Sequence, residues 1–197
     1  MMLADGDGIL LQRLYALRFA TSGQLARSTG RSSQVIRRRL RKLAEAGFTL
    51  PLARSPTEQA AYALAEGGFE WIAHQRSVSV QDLPFSRKIS QGKTQSFFWR
   101  HELLVGDIVI AFEQALNDHP RLGLPRVIRE WELADRRARA HHRRFVLSER
   151  FDVQGRPHVH RPDACLLLEP KDAGPGIHVA AFVEADRATQ PMPRIRK

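Results

Sequence analysis

Apolar residues recur at helical spacing through the N-terminal third of the chain and then give way to short strand-like runs. Leu10, Leu11, Leu14, Leu17 and Phe19 recur close to the helical period over Ile9–Phe19. Thr21 and Ser22 offer caps for a short helix over SGQLARST, which Gly30 breaks. Ser32 or Ser33 caps a third helix over 32–46, and Gly47 is placed to stop it. Three helices with a tight glycine turn between the second and third have the pattern of a helix-turn-helix. LPLAR and AYALA then read as two strands around a polar turn, a wing near 53–59 with Arg54 at its tip, and GGFEWIAHQ as a closing helix. Together they predict an N-terminal winged helix-turn-helix domain over 1–76, with Tyr62, Phe69 and Trp71 in its core.

Residues 77–95 lose periodicity and read as a linker. Apolar positions 97, 98, 104, 105, 108, 109, 112 and 116 then fit a single long helix, ended by the Asn117–Pro120 stretch because the residue before proline disfavours helix. RVIREWEL reads as a strand. CLLLE and HVAAFVEAD read as two more, joined by the Gly/Pro-containing EPKDAGPGIH. The chain is thus expected to be α+β, with a second, α/β domain over 96–197.

The third helix divides by face. Ile36, Leu40 and Leu43 form an apolar stripe, whereas Gln34, Arg37, Arg38 and Arg41 share another face. Guanidinium and amide groups suit phosphates and the major-groove edges of guanine and adenine. A merely solvated helix would mix charge signs for i,i+4 support, yet the helix has Glu45 as its sole acid. Ser33, Gln34, Arg37, Arg38, Arg41, Lys42 and, from the wing, Arg54 are the expected contacts to double-stranded DNA.

Composition strengthens that picture. Of 197 residues, 31 are Lys or Arg against 21 Asp or Glu, a net charge of +10 that favours a polyanionic partner. Residues 126–150 carry eight arginines against four acids, so DRRARAHHRR is either a charged loop or a second phosphate-contacting segment. His141, His142, His158 and His160 lack the cysteine or third-ligand spacing of a zinc site. Cys165 is alone and sits in an apolar run, which reads as a small buried hydrophobe in a reducing cytoplasm. Neither a signal peptide nor a membrane-length apolar run is visible, so a cytoplasmic protein with no membrane partner is expected.

Acids punctuate the last two strands: Asp163 beside the first, Glu184 and Asp186 at the end of the second. Divalent-metal phosphodiester cleavage needs clustered carboxylates on hard oxygen ligands and a cation near the scissile phosphate. Pro162-Asp163 followed by Glu184-x-Asp186 resembles the PD-(D/E)xK nuclease-like core, in which a helix glutamate, here Glu102, often joins the site. That resemblance implies Asp163 and Glu184 as metal ligands for Mg2+ or Mn2+. It departs from the pattern at Asp186, where an active nuclease carries lysine. Arg187 points to the other face of the pleat, and Lys171 could substitute only by bending back. An extra acid adds like charge that only a metal would neutralise.

Across RLYALRFATSGQLA, VIRRRLRKLAEAGF, HELLVGD and RPDA…FVEADRAT, nearly the whole chain resembles the replication-relaxation family of plasmid- and integrative-element-associated proteins. The resemblance implies a winged helix joined to a nuclease-like domain, acting near DNA relaxation, mobilisation or replication of mobile elements. Two readings follow. In the first, favoured by Asp186, the protein is a non-catalytic DNA-binding accessory factor, or a transcriptional regulator of such an element, that requires no cofactor. In the second it is a metal-dependent endonuclease or nickase using Glu102, Asp163 and Glu184. QPMPRIRK stops where a complete nuclease-like domain would continue, so either truncation or a naturally short member is expected, and in both cases a homodimer covering an open sheet face. A relaxase or another mobile-element protein is the expected protein partner.

Overall fold

The computed structural model describes residues 3–52, 59–84, 96–133, 146–174 and 176–186. The chain is a mixture of helices and small antiparallel sheets, as expected of an α+β protein, and divides into two compact units, Met1–Gln114 and Ala115–Lys197.

The N-terminal unit runs α1 (Asp7–Leu17), β1 (Ala20–Thr21), α2 (Ser22–Thr29), α3 (Ser33–Glu45), β2 (Thr49–Leu52), β3 (Ala61–Leu64), α4 (Glu66–Gln75) and most of α5 (Ser96–Asn117). Local chemistry sets the boundaries. At α2 the Thr21 hydroxyl accepts from Gln24 N–H while the Gln24 side chain accepts from Thr21 N–H, a reciprocal capping box. Ser32 caps α3 by accepting from Val35 N–H. At the other end Gly47 takes φ 77°, and the N–H groups of Gly47 and Phe48 reach back to the carbonyls of Ala44 and Leu43. Those two bonds form a Schellman stop, which needs a left-handed residue and so favours glycine.

The strands pair in the order β1-β3-β2, all antiparallel, with Pro51 opposite Tyr62 and Leu52 opposite Ala61. Leu10, Leu11, Leu14, Leu25, Ile36, Leu40, Leu43, Leu64 and Phe69 fill the core beneath the helices. Packing is closest where α4 starts. A Cβ on Gly68 would come within 2.3 Å of the Phe48 carbonyl oxygen, so the backbones meet there because that residue has no side chain.

The helix α5 joins this unit rather than standing apart after a linker. Trp99 and Leu103 pack with Phe19, Ala61 and Ala63, and Gln24 Nε2 donates to the Leu103 carbonyl at 2.7 Å. Ion pairs from Arg13 to Glu113 and from Arg27 to Asp107 run along the same helix. The division between units therefore falls after Gln114, not at the 77–95 segment, of which residues 85–95 lie outside the described residues.

In the C-terminal unit, β4 (Leu122–Arg129), β7 (Ala164–Pro170) and β8 (Val179–Val183) form an antiparallel sheet in the order β4-β7-β8. The β4 register slips between Gly123 and Arg126, where Pro125 has no N–H to give to the ladder. A separate hairpin pairs β5 (Glu149–Val153) with β6 (Arg156–His160). Its two-residue turn places Gln154 at φ 54° and Gly155 at φ 76°, the left-handed pair that a tight hairpin requires, and Asp152 Oδ1 accepts from Gly155 N–H at 2.7 Å. The sequence reading had no strands here. The signal was present in FDV-QG-RPHV, two short runs around a glycine turn. The basic DRRARAHHRR segment lies outside the described residues.

Candidate nucleic-acid interface

The α3 helix has a fully buried stripe, Ile36, Leu40 and Leu43, each 0% exposed. At 3.6 residues per turn, Gln34, Arg38 and Arg41 lie directly opposite that stripe. Ser33 and Arg37 fall on one flank, and Val35, Arg39 and Lys42 on the other. Ser33, Gln34, Val35, Arg37, Arg38, Arg41 and Lys42 are all exposed. Arg37 Nε donates back to the Ser33 carbonyl at 3.3 Å, which holds its stem along the helix. The first turn contains no acid, so the partial positive charge of the helix start adds to the arginines and suits an anion.

Arg39, the third residue of the Arg37–Arg39 run, has a different destination. It turns inward to Asp7, which is 1% exposed in the first turn of α1. Arg39 Nε donates to Asp7 Oδ1 at 2.8 Å, Nη2 donates to Oδ2, and Ala4 N–H also donates to Oδ2 at 2.7 Å. Hydrogen bonding to Asp7 raises the Arg39 pKa above its ordinary value, against a smaller opposing effect of burial. Sequence periodicity did not single out Asp7. An acid beside glycines at a helix start, with Asp5 two residues before it, reads first as a solvated cap, and its partner is 32 residues away. The expected contact Arg54 lies outside the described residues.

The strand-end acids come together in part. Ala164 pairs with Val183, so Asp163 and Glu184 face each other across the ends of β7 and β8. The Asp163 N–H donates to the Val183 carbonyl, and its Oδ2 accepts from Ala185 N–H at 2.8 Å. Glu184 is mostly exposed, with Oε2 3.5 Å from His160 Nε2. Asp186 is exposed. Nearby, Arg161 Nε pairs with Glu130 at 2.8 Å. Lys171 donates to the His119 carbonyl beyond the far end of β7, roughly 25 Å of strand from Asp163 at about 3.3 Å per residue.

Glu102 belongs to the N-terminal unit. It is 3% exposed and faces Arg18, with Oε1 3.7 Å from Nη1, while the Arg18 guanidinium lies 4.7 Å from the Phe98 ring centroid. Among the described residues no three His, Cys, Asp or Glu side chains gather where a metal ion could be held. Asp163 and Glu184 supply carboxylate oxygens, the donor type that Mg2+ and Mn2+ take, but one Asp163 oxygen is already engaged by a backbone N–H. The fit to a divalent ion is therefore incomplete, and no chemical step follows from it.

Together these features describe an α+β protein of two compact units that turns an arginine-rich helix face to solvent. The chain belongs to the replication-relaxation family, whose model matches residues 11–197. No curated protein and no solved structure matches it. Membership associates the chain with replication and relaxation of mobile-element DNA. No helix of the described residues is long and apolar enough to cross a membrane.

Proposed function

We propose that the protein is a double-stranded-DNA-binding accessory factor of mobile-element replication, relaxation or mobilisation, or of its transcriptional control, and that it works without catalysis of its own. The observation that carries this reading is the Gln34–Arg38–Arg41 row, exposed directly opposite a stripe that is wholly buried. The succession α1-β1-α2-α3-β2-β3, with strand order β1-β3-β2, is read as a winged helix-turn-helix in which α3 enters the major groove. Gln34 and Arg38, near the start of α3, are its base readers; Ser33, Arg37, Arg41 and Lys42 hold phosphates. The second unit is read as a nuclease-like core that has kept its strand-end acids. Asp186 at the lysine position and the engaged Asp163 oxygen support the non-catalytic reading. A homodimer and a relaxase-type partner complete the proposal.

Mobility shifts of the full chain on duplex DNA test this. About six to eight phosphate contacts give a log–log salt slope of about −5 to −7. Arg38→Ala should weaken the preferred site about tenfold or more and relax the preference at one base. A slope near zero, or unchanged binding in Arg38→Ala, refutes it.

The alternative, a metal-dependent nickase, is favoured by the juxtaposition of Asp163 and Glu184. It requires nicking of supercoiled plasmid with Mg2+ or Mn2+ that disappears with chelator and in Asp163→Ala. Tight binding without nicking in either metal removes it.

A further inference from the structure

The hairpin β5–β6 presents a row of groups that the duplex-binding reading leaves unused. In an antiparallel ladder, directly paired residues share a face and alternate residues share it too. Arg156 and His158 on β6 therefore line up with Val153 and Phe151 on β5, and His160 continues the same row. Every residue of β6 is exposed, and Phe151 remains 45% exposed. Phe151 and His158 stack, with ring centroids 6.0 Å apart and planes inclined by 19°. An open, stacked ring pair on a two-stranded ribbon has no burial to justify it.

The row continues beyond the rings. His160 lines a cleft of about 210 Å3 together with Val146, Pro162 and Phe182, and Phe182 is 60% exposed. The cleft is smaller than the roughly 300–1,000 Å3 that small-ligand pockets occupy, so it suits one flat ring rather than a whole ligand. From hairpin tip to cleft the order is cation, ring pair, ring, apolar slot. The charge has the matching sign. Asp152 is turned to the Gly155 N–H in the hairpin turn, Arg156 is exposed on the row, Arg150 lies on the opposite face beside Val159, and residues 136–144, just upstream in sequence, include five arginines. Glu184, with Oε2 3.5 Å from His160 Nε2, is an acid at the slot end of the row.

We infer that this face of the β5–β6 hairpin is a binding track for single-stranded nucleic acid. Unpaired bases stack on Phe151–His158 and one base enters the slot beside His160 and Phe182, while Arg156 meets a phosphate. Aromatic rings interleaved with cations are the chemistry that holds an unpaired strand without regard to sequence, because every base has a π-face. A duplex keeps its bases stacked on one another and offers this face only its phosphates. The inference deepens the DNA-binding reading by adding a strand-opened substrate, the form that DNA takes when replication or relaxation begins.

Fluorescence anisotropy of the full chain with a short labelled single strand of mixed sequence, and separately with its duplex, tests the inference. Phe151→Ala and Phe182→Ala, both at exposed rings, should each weaken the single strand about tenfold while leaving the duplex unchanged. Arg38→Ala on α3 should do the reverse. Circular dichroism checks that each variant stays folded. Single-strand affinity unchanged in both phenylalanine variants overturns the track. So does loss of single strand and duplex in parallel, which would mean one shared basic surface. A wild-type chain that ignores the single strand overturns it as well and points to a protein partner for this face. Failure of the duplex arm alone refutes the α3 reading and leaves the track standing.

Discussion

Removing the Asp7 carboxylate should unlatch α3 from α1. Asp7 is 1% exposed and accepts from Ala4 N–H and from two nitrogens of Arg39. Breaking a buried ion pair costs about 3–5 kcal/mol, because the surviving charge loses its partner without regaining water. Arg39 keeps 18% of its side chain exposed and can rehydrate in part, which lowers the cost to about 2–3 kcal/mol. Loss of a negative charge in the first turn of α1 adds about 0.5 kcal/mol. Asp7→Ala should therefore cost about 3 kcal/mol, a Tm fall of about 6–12 °C at about 2–4 °C per kcal/mol for a chain of this length. Arg39→Ala strands the Asp7 carboxylate and should cost a similar amount. The double variant should cost about 2 kcal/mol less than the sum, measured by urea titration of all four proteins. Strict additivity, or an Asp7→Ala Tm within about 2 °C of wild type, refutes the latch. The sign with pH is fixed by Arg39. Its folded pKa is raised, so the stabilisation is complete below the unfolded value and is lost only as pH rises through the folded one, in strongly alkaline solution. The cost should accordingly be flat across the neutral range.

Other outcomes follow from the packing and the chemistry of single side chains. Gly68→Ala would force a Cβ to 2.3 Å from the Phe48 carbonyl and should lose about 3 kcal/mol by thermal melting, whereas Gly30→Ala, with open space around it, should lose only the left-handed strain of about 1–2 kcal/mol. Equal melting temperatures for the two variants would contradict the close approach. Glu102→Ala should destabilise the chain by about 3–5 kcal/mol with or without added metal, since its carboxylate faces buried Arg18; a fully stable variant would mean that the pair is not structural. Burial raises the Cys165 thiol pKa, so a thiol reagent should react slowly with the native chain and quickly in denaturant. Stability from this group is present below the ordinary thiol pKa and falls as pH climbs through the raised one, and fast native labelling would refute its burial.

The helical parts of the fold were readable because their signals are local. Caps at Thr21 and Ser32, the left-handed stop at Gly47 and the 36-40-43 stripe each lie within one or two turns of what they control. The exposed α3 face was readable for the same reason, since burying one stripe dictates which residues remain outside. What escaped were contacts between residues distant in sequence. Asp7 with Arg39 and Glu102 with Arg18 depend on how helices stack, and charge alone does not choose between a partner and solvent. The assignment of α5 had the same weakness. An apolar helix must bury its face, but periodicity does not say against which sheet, and Trp99 and Leu103 close the core beside Phe19. For the acids, strand pairing sets Asp163 beside Glu184, while the bond from Ala185 N–H could not be read from residue types.

The fate of the arginines gives salt two separate effects. Arg18 and Arg39 hold their carboxylates inside the protein, where mobile ions scarcely reach, whereas Arg38 and Arg41 stand in water. Exposed charges are screened over a Debye length of about 8 Å at physiological ionic strength, and over about 3 Å at molar salt. On the proposed DNA-binding reading, rising salt should therefore strip nucleic acid from the protein well before it loosens the protein itself. On that reading, a preparation carrying cellular nucleic acid should be cleaned by a salt wash and returned, still folded, to conditions in which binding is measured.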